Sequence, residues 1–166
     1  QLLRLINQLL DFSKLESGTL MLHETKGNIS DFVEEQLRSF YDEADSNGII
    51  LEYHSKPSGD YWFDADKLEQ IIRNLVANAL KFTSADGKVE VALYPQGRAL
   101  DTDEKIDTEN HPPIGISLSV SDTGIGIPKD QLPHVFDRFY QVDHTFSTGS
   151  SSANHPKGSG IGLALV

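Results

Sequence analysis

The stretch "NLVANALKFT", residues 74–83, sets two asparagines four apart inside an apolar pattern of helical period. Asparagine is a mediocre helix former, and its amide needs partners once it leaves water. At ~100° per residue, Leu68, Ile71, Ile72, Leu75, Val76, Ala79 and Phe82 share one arc of roughly 140°, the expected core face. Asn78 falls ~20° beyond Ile71, with Asn74, Lys81, Lys67 and Gln70 following on that flank. Both amides therefore belong at the border between core and solvent. There a neutral amide can offer its carbonyl to a hard cation such as magnesium, or its N–H to an anionic oxygen. Lys81 stands on the same side to meet phosphate. The alternative is that both asparagines simply bond a neighbouring loop.

Around this helix, which the pattern extends from about Asp64 to Phe82, the chain divides readily. "NISDFVEEQLRSFYDEADSNG" (28–48) reads as a helix capped by Asn28 or Ser30 and closed at Gly48. "IILEYH" (49–54), "YWF" (61–63), "KVEVALY" (88–94) and "IGISLSVSD" (114–122) read as strands, and "SGTLML" (17–22) as one more. "PQGRALDTDEKIDTENHPP", with five acids and three prolines, reads as a long solvated hairpin loop. The order predicts an α+β fold, a two-layer α/β sandwich with helices on one face of a mixed, mostly antiparallel sheet.

Residues 1–17 form a separate pattern. Leu2, Leu5, Leu9 and Phe12 make a helical seam widened by Leu3, Ile6 and Leu10, and Gly18 is placed to cap it. Such a seam suits a partner helix in a bundle or dimer, or else an ordinary core. The chain starts and stops in mid-pattern, as a fragment of a longer protein would.

Composition narrows the function. A net charge of −11 with 14 Lys and Arg argues against binding nucleic acid or an anionic membrane surface. The absence of cysteine excludes disulfides, thiolate metal sites and cysteine nucleophiles, and fits the cytoplasm. No stretch approaches the ~20 apolar residues of a membrane helix.

Two glycine loops carry further chemistry. Along "IGISLSVSD", Ile114, Ile116, Leu118 and Val120 share one face, and Asp122 continues that parity, so its carboxylate is expected to be buried toward the apolar side. The exocyclic amine of adenine, or an ordered water, would supply the donor such a burial needs, and Gly124 and Gly126 would let backbone approach a flat ligand. A strand-ending Asp followed by a glycine turn is the plainer reading. In "KGSGIGLALV" (157–166), Gly158, Gly160 and Gly162 precede an apolar helical stretch, an arrangement that binds anions. It follows no strand, and GxxxxGK[ST] is absent, so neither common nucleotide fingerprint applies. Between the loops, Phe136, Phe139 and Tyr140 could latch a polar segment that is either a lid over ligand or a plain surface loop. Nothing in the spacing of His144 and His155 demands a metal.

Taken in order, "NLVANALKFT", "DTGIGIP", "VFDRFYQ" and "GSGIGLAL" resemble the asparagine, first glycine, phenylalanine and second glycine boxes of sensor histidine kinases. Their catalytic domain shares the Bergerat fold of a superfamily that includes DNA gyrase, heat-shock chaperones and mismatch-repair ATPases. The resemblance covers nearly all of residues 18–166, and "LLDFSKLESGTLML" (9–22) resembles the end of the dimerisation helix with the hinge that follows. It implies a helical dimerisation segment over 1–17 and an ATP-binding catalytic domain over 18–166, incomplete at its C-terminus. The implied cofactors are ATP and magnesium.

By the same resemblance Asn78 is the magnesium ligand, Asn74 assists at the phosphates and Lys81 approaches the γ-phosphate. Asp122 binds the adenine amine in a pocket shaped by Gly124 and Gly126. Gly158, Gly160 and Gly162 contact phosphate, as does Arg138, and Phe136 and Phe139 belong to the same binding region. The implied partners are a dimerisation and phosphotransfer domain of the same protein, a response regulator receiver domain and a second copy in the full-length homodimer. The implied setting is the cytoplasmic part of a membrane-anchored receptor.

Hydrolytic relatives in the superfamily place a glutamate where Asn74 stands. An amide accepts no proton at neutral pH, so hydrolysis should be poor and the γ-phosphoryl group kept for transfer to histidine. None of the six histidines has the setting of a phosphoacceptor, which is expected outside these residues. A catalytically silent nucleotide-binding module and an ATP hydrolase are the competing functions.

Overall fold

The structure, a computed structural model, describes residues 13–14, 17–96, 115–137, 140–141 and 163–165. The seam of residues 1–12 and the loop 97–114 lie outside them, as do His144 and His155. Gly18 has φ +65°, and Thr19 N–H donates 3.0 Å to Lys14 O, the closing bond of a glycine-capped helix end.

β1 (Thr25–Gly27) leads into α1 (Ile29–Ser46). Asn28 caps α1, its carbonyl accepting from Ser30 N–H at 3.0 Å and Asp31 N–H at 3.3 Å. Ile29, Val33, Leu37, Phe40 and Ala44 recur at helical period and are buried together. Gly48, at φ +66°, ends the helix, and Ile49 N–H closes on Ala44 O at 2.8 Å. β2 (Ile50–Ser55) and β3 (Tyr61–Phe63) follow, then α2 (Ala65–Phe82), β4 (Lys88–Gln96) and β5 (Gly115–Asp122).

The expected strand "SGTLML" does not form. Residues 19–24 have no regular structure, and Met21 and Leu22 are 76% and 60% exposed. The reason is the length of the partner. β3 offers only three residues, and these pair antiparallel with Thr25, Lys26 and Gly27.

The larger sheet runs β2-β4-β5. β2 pairs parallel with β4, as a crossover through a helix requires, and β4 pairs antiparallel with β5. Both helices pack on one face, where Val89, Val91 and Leu93 are fully buried beside Leu51, Tyr53, Ile116, Leu118 and Val120. The α+β architecture with a mixed sheet therefore holds.

The opposite face is polar. Lys88 Nζ lies 3.0 Å from both Glu52 and Glu90, and His54 Nε2 is 3.2 Å from Glu52. Lys88 holds the Glu52 carboxyl below its ordinary value, and Glu90 and Glu52 raise the Lys88 amine in return. Among the described residues Glu52, His54 and Glu90 are the one group with metal-ligand character, and the Lys88 ammonium already bridges its two carboxylates.

On α2 the buried set is Ile72, Val76, Ala79 and Leu80, which shifts the core face toward Leu80. The arc expected to be all core is divided. One side packs on the sheet, and the other, with Leu75, Ala79 and Phe82, walls a cavity. No described helix is long and apolar enough to cross a membrane.

Candidate nucleotide-binding site

The cavity, of about 220 Å³, opens between the second half of α2 and the end of β5. Leu75, Asn78, Ala79 and Phe82 form the helix side, and Val120 and Asp122 the strand side. Ile125, Gly126 and Ile127 of the following loop make a further wall, with Val135, Tyr140 and Leu163 completing the lining. The walls are mostly apolar, with Asn78 and Asp122 as polar groups that could orient a ligand. Asn78 and Asp122, expected to act on one ligand, face the same space.

Asp122 is not buried. Its parity with Val120 is as expected, but it is the last residue of β5, where the helix layer gives way to the cavity. The carboxylate therefore stands exposed at the rim. One oxygen, Oδ1, accepts from Gly124 N–H at 2.9 Å.

Gly124 is glycine because of its neighbours in the fold. A Cβ there would fall 2.4 Å from Phe82 O and 2.8 Å from Asp122 Oδ1. Ile125 N–H donates to the same Phe82 carbonyl at 3.2 Å, so the loop is seated on the last turn of α2. Gly126 has φ +68°, the left-handed conformation that favours glycine.

The other expected residues are placed differently. Asn74 does not line the cavity, and its Nδ2 is buried with no partner among the described residues. Such an orphaned donor suits an anionic oxygen arriving from outside the protein. Lys81 is likewise off the lining. Its Nζ lies 4.8 Å from the Phe82 ring centroid, and burial lowers its proton affinity. Phe136 is 61% exposed and does not reach the cavity. Val135 and Tyr140 do so instead, with the Tyr140 ring 5.6 Å from that of His134. Arg138, Phe139, Gly158, Gly160 and Gly162 lie outside the described residues.

Sequence reasoning missed the apolar lining. Leu75, Ala79, Phe82 and Val120 were legible only as core, because a cavity wall and a core share one periodicity. Ile125 and Ile127, alternating with glycine in "TGIGIP", were the available signal.

Residues 63–166 match the family model described as histidine kinase-, DNA gyrase B-, and HSP90-like ATPase. The chain is 36% identical to hybrid signal transduction histidine kinase D of Dictyostelium discoideum over 99% of its own length and 10% of that protein. It is 33% identical to drug sensory protein A of Synechocystis over 100% of its length and 23% of that protein. It thus spans less than a quarter of the length of these relatives. Among solved structures, full-length ShkA in complex with AMPPNP superposes with a TM-score of 0.71 at 27% identity, covering 99% of this chain and 29% of that one. The catalytic domain of histidine kinase ThkA shares the fold, with a TM-score of 0.61 at 20% identity, 87% of this chain and 78% of that one being covered. The chain therefore belongs to the family of histidine kinase-, DNA gyrase B- and HSP90-like ATPases, whose ATP-binding domain it carries.

Proposed function

We propose that residues 18–166 form the catalytic domain of a sensor histidine kinase, which passes the γ-phosphoryl group of ATP to a histidine on a dimerisation domain. The observation that carries this reading is the shared cavity, with Asn78 on one wall and Asp122 on the other. The names of relatives, among them hybrid signal transduction histidine kinase D, favour the same chemistry.

In this reading adenine lies between the apolar walls and gives its amine hydrogens to Asp122, whose Oδ2 has no role in the Gly124 bond. The Asn78 carbonyl holds magnesium, and the orphaned Asn74 Nδ2 donates to a phosphate oxygen. Magnesium would supply charge neutralisation at the transferring phosphoryl group. Lys81 leaves the Phe82 ring to reach the γ-phosphate. Arg138 and the backbone at Gly158, Gly160 and Gly162 close around the phosphates, with Phe136 and Phe139 anchoring that segment. Asn74 cannot take a proton from water, so transfer is favoured over hydrolysis.

Residues 1–17 in this reading end the dimerisation helix, and the partners are that helical domain, a receiver domain and a second copy. The domain works in the cytoplasm, attached to a membrane-anchored receptor. Calorimetric titration with ATP tests the site directly. The account expects magnesium-dependent binding that Asn78→Ala abolishes and that Asp122→Asn weakens by about tenfold or more, as for a lost hydrogen bond to a charged group. Binding indifferent to magnesium and to both substitutions would contradict it.

A further inference from the structure

Among the described residues two polar ones, Asp64 and Thr83, are buried as whole residues, and they cap the two ends of α2. Thr83 serves its own helix, with Oγ1 donating to Ala79 O at 2.7 Å. Asp64 does more. Its Oδ1 accepts from Lys67 N–H at 3.1 Å, the ordinary N-cap bond. Its Oδ2 accepts from the backbone N–H of His23 at 2.8 Å, across 41 positions of sequence.

The cap alone does not call for a carboxylate. Serine, threonine or asparagine caps a helix about as well with one oxygen, and burying a charge is costly. The second oxygen is what aspartate adds, and it is spent on the segment leading in from residues 1–17. From Thr25 on it is held by the pairing of β1 with β3, and the Asp64 bond extends that hold upstream to His23. Residues 19–24 have no regular structure, Met21 and Leu22 face solvent, and the bonds of Ser17, Thr19 and Leu20 return to Ser13 and Lys14.

At the far end of α2 stand Asn78 and Phe82 of the cavity wall, with Phe82 O receiving Ile125 N–H. A helix of 18 residues is a rod of about 27 Å. Movement at its first turn is therefore carried to Asn78, Phe82 and the loop seated on them, relative to Val120, Val135 and Tyr140 across the cavity. We propose that Asp64 is a positioning residue whose carboxylate ties the His23 segment to the helix bearing the nucleotide site, coupling the position of that segment to nucleotide binding. The proposal rests on the ATP reading given above.

Coupling between sites is reciprocal, so nucleotide must tighten the His23 contact if that contact favours nucleotide. Amide hydrogen exchange on the whole chain, with and without ATP and magnesium, reads both ends. Saturating nucleotide is expected to slow exchange in the loop 122–126 and to slow the His23 amide by about fivefold or more. In Asp64→Asn, which keeps an oxygen for Lys67 but turns a donor toward His23, the His23 response is lost while the Lys67 amide stays protected. His23→Pro removes the donor and leaves Asp64 intact. It should change the Kd for ATP in the same direction and by the same factor as Asp64→Asn, and the double variant should change it no further. Loop protection without a response at His23, or an Asp64→Asn effect that His23→Pro does not reproduce, overturns the coupling and leaves the ATP reading standing. No nucleotide-dependent protection anywhere overturns both.

Discussion

Gly124 and Phe82 are in backbone contact: a methyl group on Gly124 would stand 2.4 Å from the Phe82 carbonyl oxygen. The loop after β5 and the last turn of α2 thus form one unit, which fixes Asp122 relative to Asn78. Gly124→Ala is expected to cost about 1–3 kcal/mol in stability, the range for overpacking, and to displace the Asp122 carboxylate that bonds Gly124 N–H. Nucleotide affinity should fall more than Tm predicts, which parallel titration and thermal melts check. An alanine variant that binds nucleotide normally would show that the contact is soft.

Two leucines five residues apart on α2 should separate stability from binding. Leu80 is buried in the core, and Leu75 lines the cavity. Leu80→Ala is expected to lose about 2–5 kcal/mol of unfolding free energy. Leu75→Ala should lose less stability and more nucleotide affinity. Denaturant melts with and without ATP give both quantities.

Asp64 should shape the acid limb of stability. The His23 and Lys67 backbone N–H groups hold its carboxyl below the ordinary value. A carboxylate whose native pKa is depressed contributes stability above its unfolded value, and that contribution is lost as pH falls through the native one. The stability difference between the natural chain and Asp64→Asn is therefore expected to be constant near neutrality and to shrink below the ordinary carboxylate range. Urea melts at stepped pH check this.

In the proposed function Asn74 bears on the choice between hydrolysis and transfer. Asn74→Glu puts a base where the hydrolytic members of the superfamily carry one. ATP hydrolysis should rise toward the about 10²-fold that a positioned base contributes. A phosphate-release assay reads it, and no rise would show that position 74 does not reach the attacking water.

Much of this was legible in the sequence because local chemistry fixed it. Asn28 and Gly48 bounded α1, and Asp64 and Phe82 bounded α2, since caps and closing glycines act within one turn. Three features were not legible. "SGTLML" reads locally as a strand, but pairing depends on β3, whose residues lie 34–38 positions from their partners in β1. Parity placed Asp122 on the face of Val120, but its expected burial did not follow, because periodicity cannot tell a core from a cavity. The link from His23 to Asp64 runs through a backbone N–H, which no side-chain pattern announces.

The transfer of label from γ-labelled ATP to a separately supplied histidine-bearing dimerisation domain tests the central claim most directly. The account predicts an acid-labile, magnesium-dependent label on that domain, absent with Asn78→Ala and accompanied by little free phosphate. Rapid release of free phosphate without label, or a label that survives Asn78→Ala, would contradict it.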